Sequence, residues 1–365
     1  MSLIQSTTWP EVLGALDAKR DLTVEESSWA LSQMMVGAVT DDEMSQFLLG
    51  LREKGETVTE VKSMVETMLA RCVQVDVAGA AVDIVGTGGD KANTVNISTM
   101  SALVAAGAGI QVIKHGNRAV SSKSGAADVL EALGVDIEIE PEQIPDLVDE
   151  VGIGFCFAPR CHPAMAHAGR VRRQLGVSTV FNLLGPLANP AKPKSQVIGV
   201  AEESRARLVA EVSQARGVKA LVVHSENGLD ELTSTAPIKV WDVTSQLQEV
   251  LLDPIELGFS RTQVEGLVGH GPSQNAEVAM RLLSGEISDD LQAVRDATLL
   301  SAAAGLVAHD AAVGVTRPDS LVERMQGALI RARNSLDSGA AKAVLEDWVG
   351  YRKKGAKGEK IALAG

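Results

Sequence analysis

The stretch DIVGTGGDKANTVNISTMSALVAAGAGIQVIKHGNRAVSSKSG, Asp83 to Gly125, decides how this chain folds. It reads apolar strand, glycine turn, helix, apolar strand, polar loop, the grammar of an α/β domain. Gly86, Gly88 and Gly89 follow the first strand directly, so backbone N–H groups there can approach an anion without interference from Cβ atoms. The helix that starts near Asn96 to Thr99, capped by Ser98 or a neighbour, turns its free amides and positive dipole end toward the same space. The Gly-Lys-Ser/Thr ending of a P-loop is absent, and Lys91 stands where the third glycine of a dinucleotide fingerprint would fall. A plain tight turn accounts for the glycines taken alone.

The second strand ends in Lys114, His115, Gly116, Asn117 and Arg118, with Ser121 and Ser122 beyond. Ligands of open α/β sheets bind past the carboxyl ends of strands, which sets this loop and the glycine turn across one crevice. Cations, hydroxyls, glycine amides and the Asn117 amide together suit phosphate. Asp230 and Glu231 follow the apolar run Ala220–His224, another strand end. Adjacent carboxylates beside a phosphate site suit Mg2+; an exposed acidic turn is the alternative. Arg170, Arg172 and Arg173 share a basic helix, with Arg170 and Arg173 on one face, where a guanidinium could clamp a carboxylate or stay solvated. Cys156, Cys161, His162 and His167 do not have zinc-site spacing. No Gly-x-Ser-x-Gly or His-Glu-x-x-His motif is present.

Around this unit, the strands expected are Val82–Val85, Gln111–Lys114, Ile137–Ile139, Ile153–Phe157, Gln196–Val200 and Ala220–His224. The first 75 residues instead read as helices, opened by the capping boxes Thr23 to Glu26, Thr40 to Glu43 and Thr57 to Glu60. The division is a small helical domain over residues 1–76, with 162–193 as a candidate addition, and an α/β domain with a central sheet over 77–350. Residues 351–365 are charged and read as a frayed tail. The length of 365 residues allows two domains, and 45% apolar with 22% charged residues is the composition of a folded globular chain. Charge sums to 34 − 47 = −13, and with five Phe and one Tyr this disfavours nucleic-acid and anionic-lipid partners. Three cysteines form no disulfide framework and suit a reducing cytoplasm, and no apolar run reaches membrane-span length.

GTGGD (86–90), NIST (96–99), KHGNRAVSSKSG (114–125), FNLLGPLANP (181–190) and LDE (229–231), in this order, resemble the anthranilate phosphoribosyltransferase family over about residues 10–350. The resemblance implies a small helical domain plus a larger α/β domain with a central sheet flanked by helices, the nucleoside-phosphorylase type of fold, as a cytoplasmic homodimer paired through the helical domains. It implies transfer of phosphoribosyl from phosphoribosyl pyrophosphate to the amine of anthranilate, a step of tryptophan biosynthesis, with two Mg2+ ions. The donor would meet Gly86, Gly89, Asp90, Thr94, Asn96, Ile97, Ser98, Thr99, Lys114, His115, Gly116, Asn117, Arg118, Ala119, Val120, Ser121, Ser122 and Ala126. Ser98, Asp230 and Glu231 match the Mg2+ positions, and Gly86, Asn117 and Arg172 the anthranilate positions. Ala126 stands where Ser is frequent, Lys91 where many members have glycine, and Met165 where some have Tyr. No dedicated acid or base is called for, and His115 is the one candidate to take the amine proton. The competing readings are a nucleoside phosphorylase of the same fold, active with inorganic phosphate and without Mg2+, and a non-catalytic relative that binds nucleic acid.

Overall fold

In the computed structural model, which describes residues 7–119, 122–315 and 319–359 apart from the side chains of 352–359, the chain begins with four short helices. They are α1 (Trp9–Asp17), α2 (Val24–Met35), α3 (Asp41–Lys54) and α4 (Val58–Ala70). Each of the last three opens on one of the expected capping boxes: the Thr23, Thr40 and Thr57 hydroxyls accept from the amides of Glu26, Glu43 and Glu60, whose carboxylates return to the threonine amides. Thr8 and Glu11 make a further box, absent from the sequence expectations.

The chain then lays down β1 (Val82–Gly86), α5 (Ile97–Gly107), β2 (Val112–Gly116), α6 (Ala126–Ala132), α7 (Ile144–Val151), β3 (Ile153–Phe157) and the single turn α8 (Ala158–Cys161). Two helices follow, α9 (Ala166–Leu175) and α10 (Val180–Leu187). The sheet resumes with β4 (Ser195–Gly199), α11 (Glu203–Ala215), β5 (Lys219–Ser225), β6 (Ile238–Asp242) and β7 (Gln248–Leu252). The described residues end with α12 (Pro272–Leu283), α13 (Gln292–Ala312), α14 (Leu321–Asp337) and α15 (Ala340–Glu359). Helix α15 therefore runs into the stretch read as a frayed tail, while 360–365 lie outside the described residues.

Among the described residues the sheet has seven strands, in the order β3-β2-β1-β4-β5-β6-β7. Strands β1 to β5 are parallel, with Val82 level with Ser195 and Gly86 with Gly199, and β6 and β7 are antiparallel. The chain builds outward from β1 to β3, then returns to the other side of β1 with β4. The carboxyl ends of β1 and β4 thus frame a topological switch point, where open α/β sheets bind ligands. Helix α13 packs on β1, β4 and β5 and against α5 and α14 on one face. On the other, α11 packs on β5 and α4, and α10 on β2, α3 and α4. Phe47, Leu51 and Met64 of the bundle share one core with Val171 of α9, Phe181 and Leu184 of α10, and Val222 of the sheet.

One expectation needs correction. Ile137–Ile139 forms no strand: Ile137 is buried against the main core, but the run is too short and lies in turns without a strand neighbour. The hairpin β6–β7 is not signalled by the sequence, because its outer strand is mostly exposed and lacks a buried apolar run. No described helix is long and apolar enough to cross a membrane. Since the Thr40 hydroxyl is an exposed cap acceptor, Thr40→Ala should cost about 1 kcal/mol in a urea melt. An unchanged midpoint would deny the cap its contribution.

Candidate active site at the strand switch point

The loop after β5 passes across the ends of β1 and β4 at very close range. A Cβ at Gly199 would lie 1.7 Å from the Asp230 carbonyl oxygen, and one at Gly86 would lie 2.7 Å from Asp230 Oδ2. Glycine at both strand ends is what admits Asp230. Its Oδ2 accepts from the Gly88 amide at 2.7 Å. Burial, and then the neighbouring Asp90 charge, push the Asp230 carboxyl up to about 7, against the pull of the Gly88 amide. Glu231 is raised well above the usual range by burial and by the Asp230 and Asp90 charges, with Lys114 opposing. Asp90 Oδ1 accepts from Ala92 N at 3.1 Å, and the Asp90 carboxylate lies close enough to Asp230 to raise it.

Lys114 comes up from beneath on β2 and is 1% exposed. Its ammonium donates to the Ile84 carbonyl at 2.6 Å and lies 3.5 Å from Ser98 Oγ in the first turn of α5. Burial lowers its pKa, while Asp83 and Glu231 raise it. Asp83, fully buried in β1, is pushed up to about 6 by burial, with Lys114 the largest opposing influence. Asn189 donates to Asp83 Oδ2 at 3.0 Å and to the Ile113 carbonyl at 2.9 Å.

The turn after β1 and the loop after β2 are tied together. Asn96 Nδ2 donates to the Ser124 carbonyl, and its Oδ1 accepts from Ser124 Oγ and Asn275 Nδ2. Thr94 bridges Val268, a Cβ at Gly116 would lie 3.1 Å from the Phe155 ring and 3.2 Å from Ala126 Cβ, and Ile97 and Thr99 are buried under the helix start. Gly88 and Gly89 have φ of 62° and 95°, and Lys91 holds a left-handed φ of 62°, the conformation that favours glycine. Asn117 is exposed and accepts from the Arg118 amide. Arg118 turns away to Asp128 and Glu131 and over the Phe157 ring, and the Ala119 amide also binds Asp128. Ser122 donates to the Ser124 carbonyl at 3.4 Å, while Val120 and Ser121 lie outside the described residues.

His115 does not face this crevice as a base. Adjacent strand residues point to opposite faces, so Lys114 serves the site and His115 enters the layer below. Four side chains bind successive carbonyls at the end of α10: His115 Nδ1 to Gly185 at 3.0 Å, Gln196 Nε2 to Pro186 at 2.8 Å, Arg216 Nη1 to Leu187 at 2.7 Å and His162 Nε2 to Ala188 at 2.9 Å. A carbonyl only accepts, so the His115 proton sits on Nδ1. Burial lowers His115 to about 3 and His162 to about 4. An imidazole so weakly basic does not take a proton at neutral pH, which corrects the proton-accepting role considered for His115.

Arg172 of α9 lies over the Phe181 ring, 5.2 Å from its centroid. Burial lowers its pKa, and among the described residues no carboxylate pairs with it. Arg170, by contrast, is exposed and paired with Asp41 at 2.6 Å. Asp90, Asp230 and Glu231 offer the hard oxygen donors that suit a divalent cation. Among the described residues no three or more His, Cys, Asp or Glu groups form a metal cage on their own. That donor set fits Mg2+, which keeps waters and takes one or two carboxylates plus phosphate oxygens.

Family models match on both sides of the division: "Glycosyl transferase family, helical bundle domain" over residues 10–72 and "Glycosyl transferase family, a/b domain" over 78–342. This is a two-domain glycosyl transferase. Anthranilate phosphoribosyltransferase of Arthrobacter sp. (strain FB24) is 50% identical, covering 94% of this chain and 95% of the relative. That of Streptomyces griseus is 47% identical over 95% and 96%. The crystal structure of the Thermus thermophilus enzyme aligns with TM-score 0.84 at 40% identity, covering 93% of this chain and 98% of that one. The Saccharomyces cerevisiae enzyme in complex with PRPP and Mg aligns with TM-score 0.81 at 27% identity, over 94% and 98%. The chain belongs to the anthranilate phosphoribosyltransferase family.

Sequence reasoning gave no role to Asp83, although a lone Asp within the apolar strand run VDIV was an available signal, since a buried-strand carboxylate requires partners. Asn189, inside the FNLLGPLANP motif, and His162, weighed only as a zinc ligand, were not assigned these contacts. Because burial holds His115 near 3, its imidazole should stay neutral from pH 8 down to about pH 5 in nitrogen-15 NMR. A titration centred near 6.5 would contradict its placement.

Proposed function

We infer that this chain transfers the 5-phosphoribosyl group from phosphoribosyl pyrophosphate to the amine of anthranilate, giving N-(5-phosphoribosyl)anthranilate and pyrophosphate in tryptophan biosynthesis. The observation that carries the reading is the carboxyl pair Asp230 and Glu231, both raised in pKa by desolvation and neighbouring charge, beside a glycine turn and a helix N-terminus. Such a site calls for a cation together with a phosphate-bearing substrate.

Mg2+ at Asp230 and Glu231, with Ser98 at the helix start, would neutralise charge on the diphosphate; two ions are proposed. The Gly89 amide, the first turn of α5 and the Lys114 ammonium hold the donor by its phosphates. They stabilise the negative charge that grows on the leaving group as the C1–O bond breaks. The anthranilate nitrogen attacks C1 with its own lone pair, and its proton leaves after the N–C1 bond forms, so no strong base is needed. Arg172, desolvated on Phe181 and free of a carboxylate partner among the described residues, is suited to hold the acceptor carboxylate, and Gly86 and Asn117 complete the acceptor positions that the family resemblance implies. Its contribution is orientation.

A homodimer paired through the helical domains is proposed on the same reading, supported by exposed Val24, Val36 and Leu49 on the bundle. A reducing cytoplasmic setting is supported by the unpaired thiols Cys72, Cys156 and Cys161.

Pyrophosphate release should require anthranilate and be abolished by a chelator; release driven by inorganic phosphate on a nucleoside instead would favour a phosphorylase. Arg172→Ala should raise the KM for anthranilate by about tenfold or more, the worth of a charge-assisted hydrogen bond. An unchanged KM would remove Arg172 from the acceptor site.

A further inference from the structure

The helical bundle meets the α/β domain through a compact group of charges. Arg205 of α11 has a side chain 8% exposed, and its Nη2 meets Glu56 Oε1 at 2.7 Å in the α3–α4 connection, itself 4% exposed. Arg205 Nη1 donates to Ser178 Oγ at 3.1 Å and reaches the Thr179 carbonyl at 3.5 Å. Arg52 of α3 donates to the Ser178 carbonyl at 2.7 Å and forks onto both Glu202 oxygens at 3.1 Å. Arg205 Nε lies 3.7 Å from Glu202 Oε2. Two arginines thus converge on Ser178, and Arg205 reaches Thr179 as well, at the junction of α9 and α10.

Those residues lead straight to the glycine turn. The Thr179 amide binds Asn182 Oδ1 at 3.0 Å, and Asn182 Nδ2 donates to the Thr87 carbonyl at 3.4 Å. On the other side, Ala201, next to Glu202, donates its amide to Thr87 Oγ1 at 3.1 Å. The cleft between the turn and α10, lined by Thr87, Gly88, Gly89, Asn182 and Arg205 among others, encloses only about 20 Å3, room for about one water. With so little slack, a shift of Ser178 is passed to Thr87.

We propose that Arg205, supported by Arg52, is a positioning residue that ties the helical bundle and the start of α10 to the Thr87–Gly89 turn, setting the turn for the donor diphosphate. Arg205 touches neither substrate in this account. The same junction carries the C-terminal end of α9, so it also fixes the helix that bears Arg172. The assignment rests on reading the turn as the donor-phosphate site.

Removing one member of a buried ion pair destabilises strongly, so the informative variant is Arg205→Lys. Lysine keeps the positive charge facing Glu56 but lacks the planar fork that reaches Ser178 and Thr179 at the same time. Arg52→Gln, at a side chain 35% exposed, is the second variant and puts less of the fold at risk. In steady-state kinetics, each folded variant should raise the KM for phosphoribosyl pyrophosphate, Arg205→Lys by about tenfold, with kcat within about twofold. Amide exchange at Thr87–Gly89 should quicken in parallel. Folded variants with wild-type KM and wild-type exchange at the turn would overturn the proposal. A loss of melting temperature with KM unchanged would likewise reduce the network to a structural one. If the wild type itself forms no pyrophosphate, the functional reading falls, and turn exchange in Arg205→Lys still decides the coupling: faster exchange supports it and equal exchange rejects it.

Discussion

A carboxylate is pressed against the ends of two parallel strands so closely that neither strand can carry a side chain there. Asp230 occupies the space that a Cβ at Gly86 or Gly199 would need, and the contact sets its Oδ2 on the Gly88 amide. The strand order makes this contact possible, because β1 and β4 are neighbours only where the chain reverses its direction of growth across the sheet. The result is a cluster in which Asp230 is buried beside the half-buried Asp90 and Glu231, with Lys114 opposing the charge at Glu231. Such an excess of buried negative charge is costly unless protons or cations neutralise it. The catalytic chemistry grows out of that imbalance of charge, since a divalent cation that relieves it also draws in a diphosphate.

Beneath the site, a second layer of polar contacts sets the angle of the helical domain. The four side chains on the closing carbonyls of α10 come from β2, from β4, from just past α11 and from the residue after α8. Helix ends leave carbonyls without partners, and here the sheet layer supplies them. Strand alternation divides the work within β2: Lys114 serves the crevice and His115 the scaffold, although the two are adjacent in sequence. The buried aspartate of β1 joins both layers, since Asp83 interacts with Lys114 and receives Asn189 from the loop after α10.

Much of this was legible in the chain, and the reason is locality. The capping boxes of α2, α3 and α4, the glycine turn and the polar loop after β2 each depend on residues within a few positions of one another, so pattern and mechanism coincide. Asp230 and Glu231 were legible by the strand-end rule, but their burial was not, because it depends on glycines far away in the sequence. His115 was misjudged for a similar reason: the sequence does not show that its proton is spent on Gly185. The edge hairpin β6–β7 escaped because Gln248 and Glu249 interrupt any buried pattern, and Ile137–Ile139 misled because a short apolar run can cover a core without pairing. The Arg205–Glu56 pair joins residues of two domains, and no spacing in the sequence announces it.

The claim on which the account stands is that this carboxylate cluster accepts a diphosphate only together with a divalent cation. Calorimetric titration of phosphoribosyl pyrophosphate into the protein, with Mg2+ and then with chelator, tests it most directly. The account predicts binding at least about tenfold weaker without Mg2+, as expected when a cluster of carboxyl groups meets a polyanion with no divalent cation between them. It also predicts that Asp230→Asn with Glu231→Gln removes most of that dependence. Equal affinity in the presence and absence of Mg2+ in the wild type would contradict it.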